Sequence, residues 1–330
     1  MQISPETQLF IREHQTDDVR ALALQARKYP NVDMPTAITQ IAGRQVAAEK
    51  IPSWRDTDDI WYPKHLSLEQ CSSEVTARYK ATLLKGNSLT DLTGGFGIDC
   101  AFLAAKFKSA IYVERQQELC EIAAHNFPIL NLNHINVKNE DGVSYLQAMS
   151  PVDCIFLDPA RRNEHGGKTV AISDCEPDVA ELEELLLNKA GQVMVKLSPM
   201  LDLSLALKEL QHVQEVHIIS ANNECKELLL ILGQASVEEI SIHCVNLPTK
   251  GIQEEQHFVF TREQEQCSEC NYTNVLENYL YEPNASLLKA GAFRSIASAF
   301  PVKKLHPNSH LYTSDVLVES FPGRAFHIIS

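Results

Sequence analysis

No stretch of this chain reaches the roughly 18 unbroken apolar residues that a membrane-crossing helix needs. The opening residues, MQISPETQLFIREHQTDD, also lack a basic segment followed by an apolar core. Neither a spanning helix nor a secretory leader is therefore expected. Basic residues are the minority charge: 29 Lys and Arg stand against 43 Asp and Glu, a net −14. Such an excess repels polyanions at long range, which excludes non-specific wrapping of nucleic acid and leaves room only for a local basic patch. Internal repeats and low-complexity tracts are missing, so a solenoid is not expected. Cysteine is present, but nine is an odd number, and Cys100, Cys120, Cys154 and Cys244 sit in apolar runs. That pattern fits reduced, buried thiols in a cytoplasmic protein better than a disulfide framework.

What is there suffices for two or three domains: 330 residues, 44% of them hydrophobic. Residues 1–66 read as a helical N-terminal domain, with apolar side chains at three- and four-residue spacing in DDVRALALQARKYP and MPTAITQIAGRQVAAEKIPSW. Pro30, Pro35 and Pro52 punctuate it, and Trp54, Trp61 and Tyr62 are expected to anchor it to the next domain. Residues 67–233 alternate short apolar runs with helix-compatible segments. The first helix is expected over LSLEQCSSEVTARYKATLL, with Ser67 as its N-cap. Continuous apolar strands at 88–92, 110–114, 135–141, 152–159, 192–198, 215–220 and 227–233 predict a mostly parallel, seven-stranded α/β sheet covered on both faces. Only ANNECK joins the last two strands, too short for a parallel crossover, so they should form an antiparallel pair at the sheet edge. Residues 234–330 read as an α+β region.

Chemistry concentrates in LTDLTGGFGIDCAF, residues 89–102. A strand ending in Asp91, then Gly94, Gly95 and Gly97, then a helix, presents bare backbone and helix-terminal amides to a ligand. A dinucleotide site asks for G-x-G-x-x-G, and the third glycine is missing here. Asp91 and Asp99 flank the loop, poor company for a pyrophosphate but good company for a cation. S-adenosylmethionine, with a sulfonium, an ammonium and no phosphate, suits the loop better. Glu114 ends the second strand, where a carboxylate can accept two ribose hydroxyls. Asp141 ends the third, in reach of an adenine amino group. Asp158-Pro159 ends the fourth, at the carboxyl edge where open α/β sheets bind ligands. Glu114 or Asp141 alone would be an ordinary solvated strand end; the ordered set, one element per successive strand, points to a methyl-donor site.

Taken together, DLTGGFGID, YVER, NEDG and LDPARR resemble the class I S-adenosylmethionine-dependent methyltransferases over about residues 70–233. YLYEPNASLLKAG, HPNSHLYTSD and FPGRAFHI resemble a bacterial subgroup with a ferredoxin-like segment and a THUMP-like domain, regarded as RNA methyltransferases; on that resemblance the THUMP-like part is expected to be mostly missing here. The resemblance implies a Rossmann-like sheet with an antiparallel last strand. It also implies a donor site drawn from Asp91, Thr93, Gly94, Gly95, Phe96, Gly97, Asp99, Glu114, Arg115, Asp141 and Gly142, and structured RNA as partner.

At the fourth strand, Asp158 and Pro159 keep the acceptor and rigid turn that amino-group methyltransferases use, and both are expected to be catalytic. Ala160 and Arg161 stand where a stacking aromatic would be. Arg161 and Arg162 can stack on a base or hold a phosphate, or pair with Glu164, Asp174 or Glu176. DPAR also resembles the strand end of carbon-methylating uridine enzymes, but those need a cysteine after the fifth strand, which here ends Lys196-Leu197-Ser198-Pro199. Lys196 and Ser198 are candidate substrate contacts, and a lid is expected over 163–178, hinged at Gly166 and Gly167. Cys267 and Cys270 form one C-x-x-C without a second pair, and Pro307 breaks the spacing of His306 and His310, so no metal is expected. Between Pro283 and Ser314 there is no acid, while Lys289, Arg294, Lys303 and Lys304 occur, a candidate RNA-facing surface. The reading is a methyltransferase acting on an exocyclic amine of structured RNA. A protein or small-molecule acceptor, or a non-catalytic donor-binding module, are the alternatives.

Overall fold

The computed structural model describes residues 3–161, 171–248 and 254–329. The backbone divides into two compact units, Met1–Leu157 and Asp158–Ser330. The expected α/β sheet is present. The first unit carries four of the strands and the second unit five.

The first unit begins with helices α1 (Pro5–Glu13), α2 (Val19–Leu24), α3 (Met34–Lys50), α4 (Pro52–Arg55), α5 (His65–Gln70) and α6 (Glu74–Leu83). Ser4, Asp18 and Asp33 cap the first three by accepting first-turn amides, and Pro35 and Pro52 start helices rather than break them. The single helix expected over 66–84 is two. Cys71 closes α5 in extended backbone, and Ser73, not Ser67, caps α6 by accepting the Thr76 amide. The local pattern was continuous, but the serines at 72 and 73 compete for backbone amides and interrupt it. There follow β1 (Ser88–Asp91), α7 (Ile98–Ala104), β2 (Ser109–Glu114), α8 (Gln117–Ile129), β3 (Ile135–Asn139), α9 (Gly142–Ala148) and β4 (Val152–Leu157). The four strands run parallel in the order β4-β1-β2-β3.

Trp54, Trp61 and Tyr62 do anchor the helical segment. Trp54 meets Phe96 edge-on at 5.1 Å between centroids, and Trp61 stacks on His125 at 3.6 Å. Two side-chain amides then hold the extended Trp61–Tyr62 backbone. Asn126 Oδ1 accepts the Trp61 amide at 2.9 Å, and Gln40 Oε1 accepts the Tyr62 amide at 2.8 Å. Each amide also donates back to the same residue's carbonyl. Burial pushes the Tyr62 phenol up to about 12. An unfolded tyrosine ionises near 10, so the folded state holds this proton longer, and the contribution is complete below pH 10 and lost as pH rises from about 10 to about 12. Denaturant unfolding of Tyr62→Phe should therefore lose less stability than wild type across that window, by about 2 kcal/mol. Equal losses would mean that the phenol titrates alike in both states.

The second unit opens with a two-strand ribbon, β5 (Ala160–Arg161) against β6 (Cys175–Glu176). Next come α10 (Val179–Lys189), β7 (Ala190–Leu197), α11 (Leu203–Glu209), β8 (Val213–Ala221), β9 (Glu224–Gly233), β10 (Ser241–Leu247) and β11 (Gln256–Phe260). The order is β11-β10-β8-β9-β7. β8 and β9 form the expected antiparallel pair, turned by Asn222 and Asn223, both at positive φ, as two-residue hairpins favour. Their place at the edge is corrected: β9 lies between β7 and β8, and β10 pairs parallel with β8. The strands expected in a separate appendage, β10 and β11, thus continue the second unit's sheet, which has five strands. Most of β8 is buried, Gln214 and Glu215 excepted, and an open edge there would leave a row of unpaired amides beside it.

The remaining elements are α12 (Arg262–Cys267), β12 (Tyr279–Pro283), α13 (Ala285–Ala290), α14 (Arg294–Ala299), β13 (Lys303–Lys304), β14 (Tyr312–Ser314) and β15 (Gly323–His327). Their strands form a small antiparallel sheet, β13-β14-β12-β15, around buried Tyr281 and Tyr312. No helix among the described residues is long and apolar enough to cross a membrane.

Candidate functional site

The glycine loop lies between β1 and α7, in the first unit. Asp91 is buried at the end of β1 and accepts the Thr93 amide at 3.0 Å, which turns the chain out of the strand. Gly94 donates to Val113 O of the neighbouring strand at 2.9 Å, and Gly97 donates back to Gly94 O at 2.8 Å. Each glycine has its own reason. A Cβ on Gly94 would stand 2.2 Å from the Tyr112 ring. Gly97, at φ +87°, is the left-handed N-cap of α7. Gly95, at φ +55°, differs: a Cβ there would meet only Thr93 O, at 3.8 Å. Open space above a bare backbone is the cradle a ligand needs.

Glu114 ties this cradle to the second strand. One carboxylate oxygen accepts the Gly95 amide at 2.9 Å and the other the Gln116 amide at 2.8 Å. A carboxylate has about four acceptor positions, so lone pairs remain for two hydroxyls. Tyr112, two residues earlier, donates its hydroxyl to Gly95 O. Burial, reinforced by the Glu114 charge, keeps that phenol protonated well above its ordinary range. Burial, with Asp91 and Asp99 adding to it, does the same for the Cys100 thiol, so Cys100 is inert packing and no nucleophile. Glu114→Gln leaves one acceptor oxygen for two amides. Thermal unfolding should show a loss of about 1–3 kcal/mol, the cost of stranding a buried donor.

Asp141 does not end the third strand, which stops at Asn139; two residues on, it caps α9 with its Oδ1 accepting the Ser144 amide at 2.9 Å, and its carboxylate is exposed. Gly142 must be glycine because a Cβ would press within 2.3 Å of Leu92 O, the residue that leaves β1. Arg115 is exposed beside Glu114. Two expected donor residues turn inward. Phe96 is 3% exposed and packs its ring against Trp54 and Tyr62, so only its backbone belongs to the loop. Asp99 is paired with the fully buried Lys80 at 2.9 Å and accepts from Ser72 Oγ at 2.8 Å. Asp91, Thr93, Gly94, Gly95, Gly97, Glu114, Arg115, Asp141 and Gly142 therefore line the carboxyl ends of β1, β2 and β3.

Sequence reasoning missed Tyr112 and Lys80. Tyr112 is visible only as the residue on the same strand face as Glu114. Lys80 is a lone lysine on the apolar side of α6, facing Asp99.

In the second unit, Asp158 follows β4 directly in the chain, with Pro159 after it. Its carboxylate pairs with Lys196 Nζ at 2.6 Å. Lys196, for which a substrate contact and a structural role were both open, is 8% exposed near the end of β7, with its ammonium on Asp158. Ser198 Oγ accepts the Met200 amide in the turn after β7. Arg161 belongs to the short ribbon, while Arg162 and residues 163–170 of the lid expected over 163–178, with Gly166 and Gly167, lie outside the described residues; its described part forms a short 3-10 turn, the ribbon strand β6 and the Asp178 cap of α10. The acid-free surface is less free than its composition suggests. Lys304 is buried and donates to Pro307 O, Lys303 pairs with Glu277, Lys289 donates to Leu201 O, and Arg294 donates to Gln266 O.

This loop, strand order and capping set define a methyltransferase domain, and comparison with known proteins agrees. The family model of protein-L-isoaspartate(D-aspartate) O-methyltransferase matches residues 49–163, and that of a ferredoxin-like domain matches residues 279–322. A crystal structure from Porphyromonas gingivalis W83, assigned as a methyltransferase, is 36% identical, covers 98% of this chain and 81% of its own, and superposes with a TM-score of 0.86. The chain belongs to the same methyltransferase family as that protein. An rRNA methylase from Streptococcus thermophilus matches 49% of this chain and 95% of its own at 16% identity and a TM-score of 0.35. A methyltransferase-assigned protein from Streptococcus mutans, in complex with SAH, matches 48% and 96% at 15% identity and a TM-score of 0.36. Those two likenesses are too low to add to the assignment. No functionally curated protein matches.

Proposed function

We propose that this chain is an S-adenosylmethionine-dependent methyltransferase whose acceptor is a base amine of structured RNA. The observation that carries the donor assignment is the Gly95 cradle, fastened by a Glu114 carboxylate that retains acceptor positions for a ribose. Asp91, Thr93, Gly94, Gly95, Gly97, Glu114, Arg115, Asp141 and Gly142 would hold the donor, Asp141 taking the adenine amino group. When bound, S-adenosylmethionine supplies a methyl group made electrophilic by its sulfonium.

The protein's own work is positioning, proton handling and exclusion of water. Asp158 accepts hydrogen bonds from the amine and takes its proton or passes it to solvent, while Lys196, at 2.6 Å, keeps the carboxylate aimed. Pro159 stiffens the turn, and Arg161 and Arg162 are suited to a base plane or a phosphate. An odd number of cysteines, several of them in buried apolar runs, supports a cytoplasmic location as part of this reading.

A second reading, a protein or small-molecule acceptor, is favoured by the −14 net charge and by the internal engagement of Lys289, Lys303 and Lys304. Calorimetry with the donor and with its demethylated product tests the first half of the proposal; no uptake of either by folded protein overturns it. Tritium transfer from labelled donor to total RNA and, separately, to total protein tests the second. Counts in RNA support the proposal, whereas counts only in protein replace RNA with the second reading. Donor uptake with transfer to neither fraction would mark a non-catalytic binding module.

A further inference from the structure

In the second unit, three imidazoles and a carboxylate meet on one face of the sheet. Glu215 and His217 lie two apart on β8, so they share a face. His243 on β10 is in direct register with His217, and Ser241 with Glu215. His257 on β11 pairs with Val245, two residues beyond His243, and so stands diagonally across from it on the same face.

The contacts are those of a ligand set. His217 Nε2 is 3.1 Å from Glu215 Oε2, and His243 Nδ1 is 3.1 Å from His257 Nε2. One ligand atom each from Glu215, His217 and His243 can be chosen within 4.8 Å of one another. The rings of His217 and His243 stack at 4.4 Å, and those of His243 and His257 lie 5.3 Å apart. Four ligands around zinc at about 2.0–2.1 Å stand about 3.3 Å from each other, close to both nitrogen–nitrogen and nitrogen–oxygen separations seen here. Two features belong to metal sites more than to a hydrogen-bonded histidine cluster. Ser241 Oγ contacts His243 Nε2 at 3.1 Å, orienting the ring so that Nδ1 is the nitrogen presented. The depth is graded: His217 is 2% exposed and His257 is exposed, which gives a buried anchor and an entry from solvent. A register shift in β8 between Val213 and Glu215 adds the local twist with which bulges re-aim side chains.

We propose that Glu215, His217, His243 and His257 bind one divalent transition-metal ion, zinc or one like it, that ties β8, β10 and β11 together. Imidazole nitrogens with one carboxylate are ligands that suit zinc and discriminate against calcium and magnesium, which prefer oxygen. The ion would serve the sheet. A C-x-x-C search could not find this site, because its ligands come from three strands and share no short spacing.

The full-length chain, stripped with a chelator and dialysed, should take up one equivalent of zinc and show a rise in Tm. With cobalt(II) as probe it should develop the visible absorption of a four-coordinate site. His257→Ala changes an exposed side chain and should fold normally yet weaken uptake; His243→Ala should weaken it further. Ser241→Ala should cost the roughly 10–100-fold typical of an orienting partner. No uptake by the folded wild-type chain overturns the proposal. So does equal uptake by wild type, His257→Ala and His243→Ala, which would place the metal elsewhere. Neither result bears on donor binding, so the two proposals fail separately.

Discussion

Asp158→Asn should abolish methyl transfer while leaving donor affinity within about threefold of wild type. Loss of a positioned general base or acceptor typically costs about 10²–10⁴ in rate. Asparagine keeps the size of the side chain, so the packing against Lys196 changes little, but the charge that meets the ammonium at 2.6 Å is gone. The check is two measurements on one preparation: turnover with labelled donor, and calorimetric donor binding. If both fall together, Asp158 shapes the donor site rather than the acceptor, and its proposed role is wrong. Lys196→Met provides the complement. Should Lys196 act by aiming Asp158, the double variant will be no slower than Asp158→Asn alone; additive losses would make Lys196 a substrate contact in its own right.

Asp99→Ala should be the most destabilising of the single substitutions considered, by about 3–5 kcal/mol, because it removes the carboxylate facing a fully buried ammonium. For a chain of this size that is a Tm decrease on the order of 10 °C. Lys80 Nζ also donates to Ser72 Oγ at 2.7 Å, and Ser72 donates to Asp99, so the three residues close a ring. That ring connects α6, the turn before it and the first turn of α7, directly behind the glycine loop. Replacing both charges, Lys80→Met with Asp99→Leu, should recover most of the loss, since an apolar pair of similar volume carries no desolvation cost. Failure of the double variant to recover would mean that the ring supplies more than charge neutralisation. Donor affinity of Asp99→Asn separates the other possibility: a large decrease in a well-folded variant would return Asp99 to the donor site.

How far the sequence carries can be judged element by element. The α/β class was legible because its strands are continuous apolar runs separated by helix-patterned segments, a rule that needs no knowledge of neighbours. Glycines at 94, 95 and 97, the acids ending β1 and β2, and Asp141 just after β3 were legible for the same reason: each is tied to a strand end in its own stretch of chain. The break between α5 and α6 was less so. Serines that can cap can also be tolerated inside a helix, and only the backbone at Cys71 decides between the two. The reasons behind the glycines were not legible at all. Gly94 is there for the Tyr112 ring and Gly142 for a carbonyl of the residue leaving β1, and neither partner is near in sequence.

Residue order by itself determined the class of fold, the antiparallel hairpin of β8 and β9, and the acid-and-glycine signature at the strand ends, because all of these follow from periodicity and turn length within short windows. Tertiary structure alone decided which strand covers which. It placed β9 inside the sheet, added β10 and β11 to it, drew Asp99 to Lys80 and Asp158 to Lys196, and gathered three histidines from three strands. Strand pairing and charge pairing depend on which distant segments exclude water together, and that is a property of the assembled sheet rather than of any stretch of chain.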